Sequence, residues 1–147
     1  MRIVLDTNVL VSAFISKLGH SAKIIDLISI FEEIQLILSD PILNEFKDVL
    51  FREEVKTRFH YSTHDIEIFA KSIRDISTAV KIKSNFKVIK EDPKDDVVLN
   101  TAYDGKAEYI VSGDHHLQNL KRFKGIKIVN PKQMMKIITR RFGELII

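Results

Sequence analysis

The opening run Met1-Arg2-Ile3-Val4-Leu5-Asp6-Thr7-Asn8-Val9-Leu10 decides the fold. Ile3-Val4-Leu5 is a short apolar block of the kind that forms a buried strand, and it stops at a charged residue, Asp6. Helical spacing of apolar residues sets in from about Val9. Strand, acid, helix is the first beat of a pattern that repeats along the chain.

Outward from there, His20–Glu33 carries Ile24, Ile25, Leu27, Ile28 and Phe31 at helical spacing, and Leu36-Ile37-Leu38 is a second strand. Ser39-Asp40-Pro41 starts a helix through Ile42, Leu43, Phe46, Val49 and Leu50, because proline suits the first turn behind a capping Ser or Asp. A helix follows from Thr63 to Ile76, then a third strand at Val80–Ile82 continuing towards Val88. Asp92-Pro93 opens a helix to about Gly105, Tyr109-Ile110-Val111 is a fourth strand, Ile126–Val129 a fifth, and Pro131–Arg141 a closing helix. Strands alternating with helices, with no repeat, low-complexity segment or linker, predict one α/β domain over residues 1–147. The expected architecture is a three-layer sandwich around a mostly parallel sheet of about five strands. The apolar tail Leu145-Ile146-Ile147 is expected to pack on this core or on a second subunit.

The composition, 45% hydrophobic and 29% charged, suits a soluble globular chain. The absence of cysteine excludes disulfides and thiolate metal sites. Asp6 and Asn8 interrupt the apolar N-terminus, which argues against a signal peptide, and no run approaches the roughly 18 uncharged residues of a membrane span. A cytoplasmic protein is expected. Phosphate-binding glycine loops and a G-x-S-x-G elbow are both missing. The net charge of +3 is compatible with nucleic acid. It is unevenly spread: His115–Gly143 contains no acid, and its cations, with Lys121, Arg122 and Lys124 foremost, are expected to contribute part of a nucleic-acid path by phosphate contact.

Four acids are expected to meet. Parallel sheets bind ligands beyond the carboxyl ends of their strands. Asp6 follows the first strand directly, and Asp114 follows the fourth with only Ser112 and Gly113 between, the glycine easing a sharp exit. Glu45 falls near the start of the helix after strand two, and Asp95 at the start of the helix before strand four. Singly, each has a bland explanation as a cap, a dipole partner or a turn former. Together on one rim, the carboxylates repel one another and require protons, solvent or cations. An oxygen-only set suits Mg²⁺ or Mn²⁺ rather than Zn²⁺, and metal held by carboxylates is what phosphodiester hydrolysis uses. Asp95 shares a helix face with Val98, Leu99 and Ala102, which faces the sheet, whereas Asp96 turns about 100° away towards Asn100 and Tyr103 and should be wetter.

These segments resemble the motifs of PIN-domain nucleases. Ile3-Val4-Leu5-Asp6-Thr7-Asn8 looks like the opening motif and Ser39-Asp40-Pro41 leading to Glu45 like the second. Asp92-Pro93-Lys94-Asp95-Asp96 resembles the third, and Ala107–Asp114 followed by Leu117 the fourth. The resemblance covers nearly the whole chain, in order and spacing, and comes nearest to the stand-alone prokaryotic toxins of toxin–antitoxin pairs. It implies Mg²⁺- or Mn²⁺-dependent cleavage of RNA by an activated water, with Asp6, Glu45, Asp95 and Asp114 catalytic and metal-ligating. Thr7, Asn8, Asp96 and Ser112 would support them. A homodimer and a small antitoxin partner are also implied. Three rivals stand beside it: a PIN module that binds RNA or protein with little or no cleavage, a nuclease acting on DNA, and a phosphatase of the haloacid dehalogenase type. The last wants a second Asp two residues after the first, and position 8 is Asn.

Overall fold

The computed structural model describes residues 1–146, with side chains described through Gly143. The elements are β1 (Arg2–Leu5), α1 (Thr7–Ile15), α2 (His20–Ile30), β2 (Gln35–Leu38), α3 (Asp40–Leu50), α4 (Glu53–Phe59), α5 (Thr63–Ile76) and β3 (Ser77–Ala79). There follow α6 (Pro93–Asp104), β4 (Tyr109–Val111), α7 (His115–Leu120), β5 (Arg122–Phe123), β6 (Ile126–Val129) and α8 (Pro131–Ile146). The fold is a three-layer α/β sandwich. Its sheet runs β3-β2-β1-β4-β6-β5, parallel throughout except for the β5–β6 pair.

Ile3, Val4 and Leu5 are all buried, so both faces of β1 are covered, as a parallel sheet requires. Val4 pairs with Ile37 of β2 on one side and Ile110 of β4 on the other. The chain leaves β1 towards β2 and later returns on the opposite side as β4. The crevice beyond the carboxyl ends of β1 and β4 is therefore the topological switch point, where sheets of this kind bind ligands.

The third strand lies at Ser77–Ala79 rather than Val80–Ile82. Val80 makes one last ladder-like bond, its N–H to the Leu38 carbonyl at 2.8 Å. Beyond it the backbone turns to side chains of α6 instead of a strand. Asp104 accepts from the N–H groups of Lys83 and Ser84, Asn100 from Phe86, and Asp96 from Val88 and Ile89. Every backbone donor needs a partner, and here α6 supplies what a neighbouring strand would have done. The sixth strand, β5, and the helices α4 and α7 are additions to the sequence expectation. α8 continues past Arg141 to Ile146, with non-helical geometry at Phe142. The tail side chains 145–147 lie outside the described residues.

Candidate active site

Asp6 ends β1 and caps α1. Its N–H bonds the Val111 carbonyl of β4 at 2.9 Å, tying it to the neighbouring strand. Its Oδ1 accepts from the Thr7 N–H at 2.7 Å, and Oδ2 accepts from the Ser112 hydroxyl at 2.7 Å and the Asn8 amide at 3.2 Å. The Ser112 oxygen in turn accepts from the Asp114 N–H at 2.9 Å, and Asn8 Oδ1 accepts from the Gly113 N–H. Thus Asn8 and Ser112 bridge the end of β1 to the end of β4. Gly113 keeps a negative φ, so its place rests on the Asn8 bond and not on left-handed backbone. Asp114 caps α7 through its Oδ1, which accepts from His116 N–H at 2.7 Å.

Glu45 reaches the rim from α3, its Oε2 accepting from the Thr7 hydroxyl at 2.9 Å. Ser39, one residue ahead of α3, bonds Thr101 of α6 at 2.8 Å, locking Glu45's helix to that of Asp95. Asp95 faces the sheet and is 5% exposed. Its Oδ2 is buried without a hydrogen-bond partner. Asp96 is wetter and spends its carboxylate on the 88–89 backbone, away from the other acids.

Asp6, Glu45, Asp95 and Asp114 line one cleft of about 250 Å³ together with Asp92 and Lys94. Burial pushes the Asp6 carboxyl up to about 6; the Ser112 and Thr7 hydrogen bonds oppose the rise, and the Glu45 and Asp114 charges add to it. Burial likewise raises Asp95, to about 7, reinforced by Asp114, Asp6 and Asp92 and opposed by His116. Two carboxyls raised this far above their ordinary range mark a site where negative charge is unfavourable and a cation would relieve it. The oxygen donors fit a hard divalent ion, and the partnerless Asp95 Oδ2 is a ready ligand atom. As the side chains stand, no three acids or histidines among the described residues are gathered tightly enough to hold an ion.

Lys121, Arg122 and Lys124 do not reach this cleft. Arg122 pairs with Lys127 on the edge hairpin, and the turn at Lys124-Gly125 lies at the amino ends of the parallel strands, opposite the acids. The antiparallel edge strand carries Lys124 to that end, whereas Lys121 caps α7 and its carbonyl accepts from the Ile128 N–H. The cation that does line the cleft is Lys94, and the fifth acid is Asp92. Sequence reasoning passed over both as parts of a helix start, though their place beside Asp95 was the available signal. A larger cavity of about 660 Å³, between α1, α2 and α5, is mostly apolar and remote from the acids.

Residues 2–116 match the PIN domain family. An uncharacterized protein of Methanocaldococcus jannaschii is 32% identical over 132 residues, covering 88% of this chain and 82% of that protein. No solved structure matches. Among the described residues, no helix is long and apolar enough to cross a membrane.

Proposed function

The chain belongs to the PIN-domain family and carries a nuclease-like fold, and on that premise we propose that it is a metal-dependent endoribonuclease. Asp6, Glu45, Asp95 and Asp114 would hold Mg²⁺ or Mn²⁺. The single observation that carries this reading is Asp95: a buried carboxyl, raised to about 7, with one oxygen left without a partner beside other acids at the sheet's switch point. A purely structural acid in such a place would be hydrogen-bonded or replaced by an amide. When bound, the ion would stabilise charge on a scissile phosphate and acidify an attacking water.

The chain's own residues supply the framework. Ser112 and Asn8 hold Asp6 and Asp114 in fixed relation, and Thr7 orients Glu45 by its 2.9 Å bond. The apolar mass under the rim, with Leu5, Leu99 and Val111 each at most 1% exposed, anchors the elements that carry the acids. The family reading extends to a homodimer in the cytoplasm and to the toxin half of a toxin–antitoxin pair, silenced by a small partner protein. Those are proposals of the same kind.

The test is incubation with RNA and DNA, with and without Mn²⁺ or Mg²⁺, in wild type and Asp6→Asn, followed by analysis of product ends. Metal-dependent RNA cleavage lost in Asp6→Asn is the expected result. Cleavage of DNA alone would move the substrate class. Intact nucleic acid in every lane, with RNA still bound, would leave a binding module that does not cut.

A further inference from the structure

Five carboxylates and one ammonium line the acid cleft: Asp6, Glu45, Asp92, Asp95 and Asp114 face Lys94. Both oxygens of Glu45 are engaged. Its Oε2 accepts from Thr7, and its Oε1 lies 3.7 Å from Lys94 Nζ. That separation is a charge contact without a hydrogen bond, and the Lys94 side chain is 63% exposed against 26% for Glu45. Pairs of this kind contribute little to stability and are readily exchanged. Lys94 also stands in the first turn of α6, two residues after the Asp92 cap, to which its N–H donates. A cation there opposes the helix dipole, so helix stability does not account for it.

We propose that Lys94 is a phosphate ligand held in reserve by Glu45. With no cation in the cleft, its ammonium neutralises Glu45. When a divalent ion takes over Glu45, the ammonium is released to a phosphodiester oxygen of the nucleic acid. A lysine suits such a handover because its compact charge sits on a flexible four-carbon stem. This inference rests on the carboxylate-metal reading above.

Two affinities should move in opposite directions in Lys94→Met. Mn²⁺ binding, measured calorimetrically without nucleic acid, should tighten by roughly fivefold, because a competing positive charge a few ångströms away is gone. Binding of a short single-stranded RNA in Ca²⁺, read by fluorescence anisotropy, should weaken several-fold. Lys94→Arg, which keeps the charge, should restore both towards wild type. A merely structural role would move both affinities down together and would not be rescued by arginine. Lys94→Gln repeats the comparison should the methionine variant fold poorly. If Asp6→Asn abolishes Mn²⁺ binding while Lys94→Met leaves it unchanged or weaker, the lysine handover is overturned and the carboxylate site stands. If wild type binds no Mn²⁺, both fall.

Discussion

Replacing Asp95 by asparagine should make the metal-free protein more stable at pH 8 while removing its cleavage. The folded-state pKa of Asp95 is raised from 3.8 to about 7. For a raised acid, the favourable contribution is complete below the unfolded value near 4 and is lost as pH rises through about 7. At pH 8 the wild type must hold a buried carboxylate against Asp6 and Asp114. Three units at about 1.4 kcal/mol each set an upper limit of roughly 4 kcal/mol for that penalty. The amide that replaces the carboxyl leaves polar hydrogens where Oδ2 already lacks a partner, and this returns about 1–3 kcal/mol. A net gain of about 2 kcal/mol remains, or roughly 4–8 °C in Tm for a domain of this size. Urea denaturation in EDTA at pH 4.5 and pH 8 measures it. The gain should be present at pH 8 and turn into a loss at pH 4.5, where the wild-type carboxyl is protonated and only the amide's unmet polar hydrogens remain. An equal effect at both pH values, or a less stable variant at pH 8, would refute the electrostatic account of Asp95. In parallel, Asp95→Asn should lose most Mn²⁺-dependent cleavage. Asp96→Asn retains an oxygen for the Val88 and Ile89 N–H groups and should keep most of it. The reverse order would show that the inward face of α6 has been misassigned.

Mn²⁺ should raise the Tm of wild type, by about 2.7 kcal/mol of stability at one hundred times its Kd, and should do so far less in Asp6→Asn; equal shifts would remove Asp6 from the ion's ligands. Ser112→Ala deletes a fully buried hydroxyl that donates to Asp6 and accepts from Asp114 N–H. It should cost about 1.5–3 kcal/mol. It should also move the acidic limb of the cleavage pH profile upward, because the Ser112 bond lowers the Asp6 pKa; an unchanged profile would deny that link. Gly105→Ala would drive a methyl into the Ile37 side chain and the Thr101 carbonyl. It should destabilise by about 1–3 kcal/mol with cleavage per folded molecule intact, which thermal melting beside active-site titration would show.

Where apolar periodicity was strong, the elements could be read from residue order alone. α3, α5 and α6 begin and end close to their sequence boundaries, because Pro41, Ser62 and Asp92-Pro93 are local start signals that need no distant partner. The rim position of Asp6 and Asp114 was legible for the same reason, since an acid one or a few residues past the end of a buried strand emerges at its carboxyl end. α4 buries no residue and α7 buries Leu117 alone, so neither carries an amphipathic stripe to detect. β3, the polar Ser77-Thr78-Ala79, is a strand only because β2 lies beside it. The 80–89 segment, strand-like in composition, is claimed instead by Asp96, Asn100 and Asp104 across space. Tertiary structure alone decided which charges meet. Lys124 goes to the amino-end turn because β5 runs antiparallel to β6, while Lys94 comes to Glu45 from the far side of the sequence. A sequence fixes local preferences and the face on which a residue stands, but the partner of a charge depends on distances between elements that only packing sets.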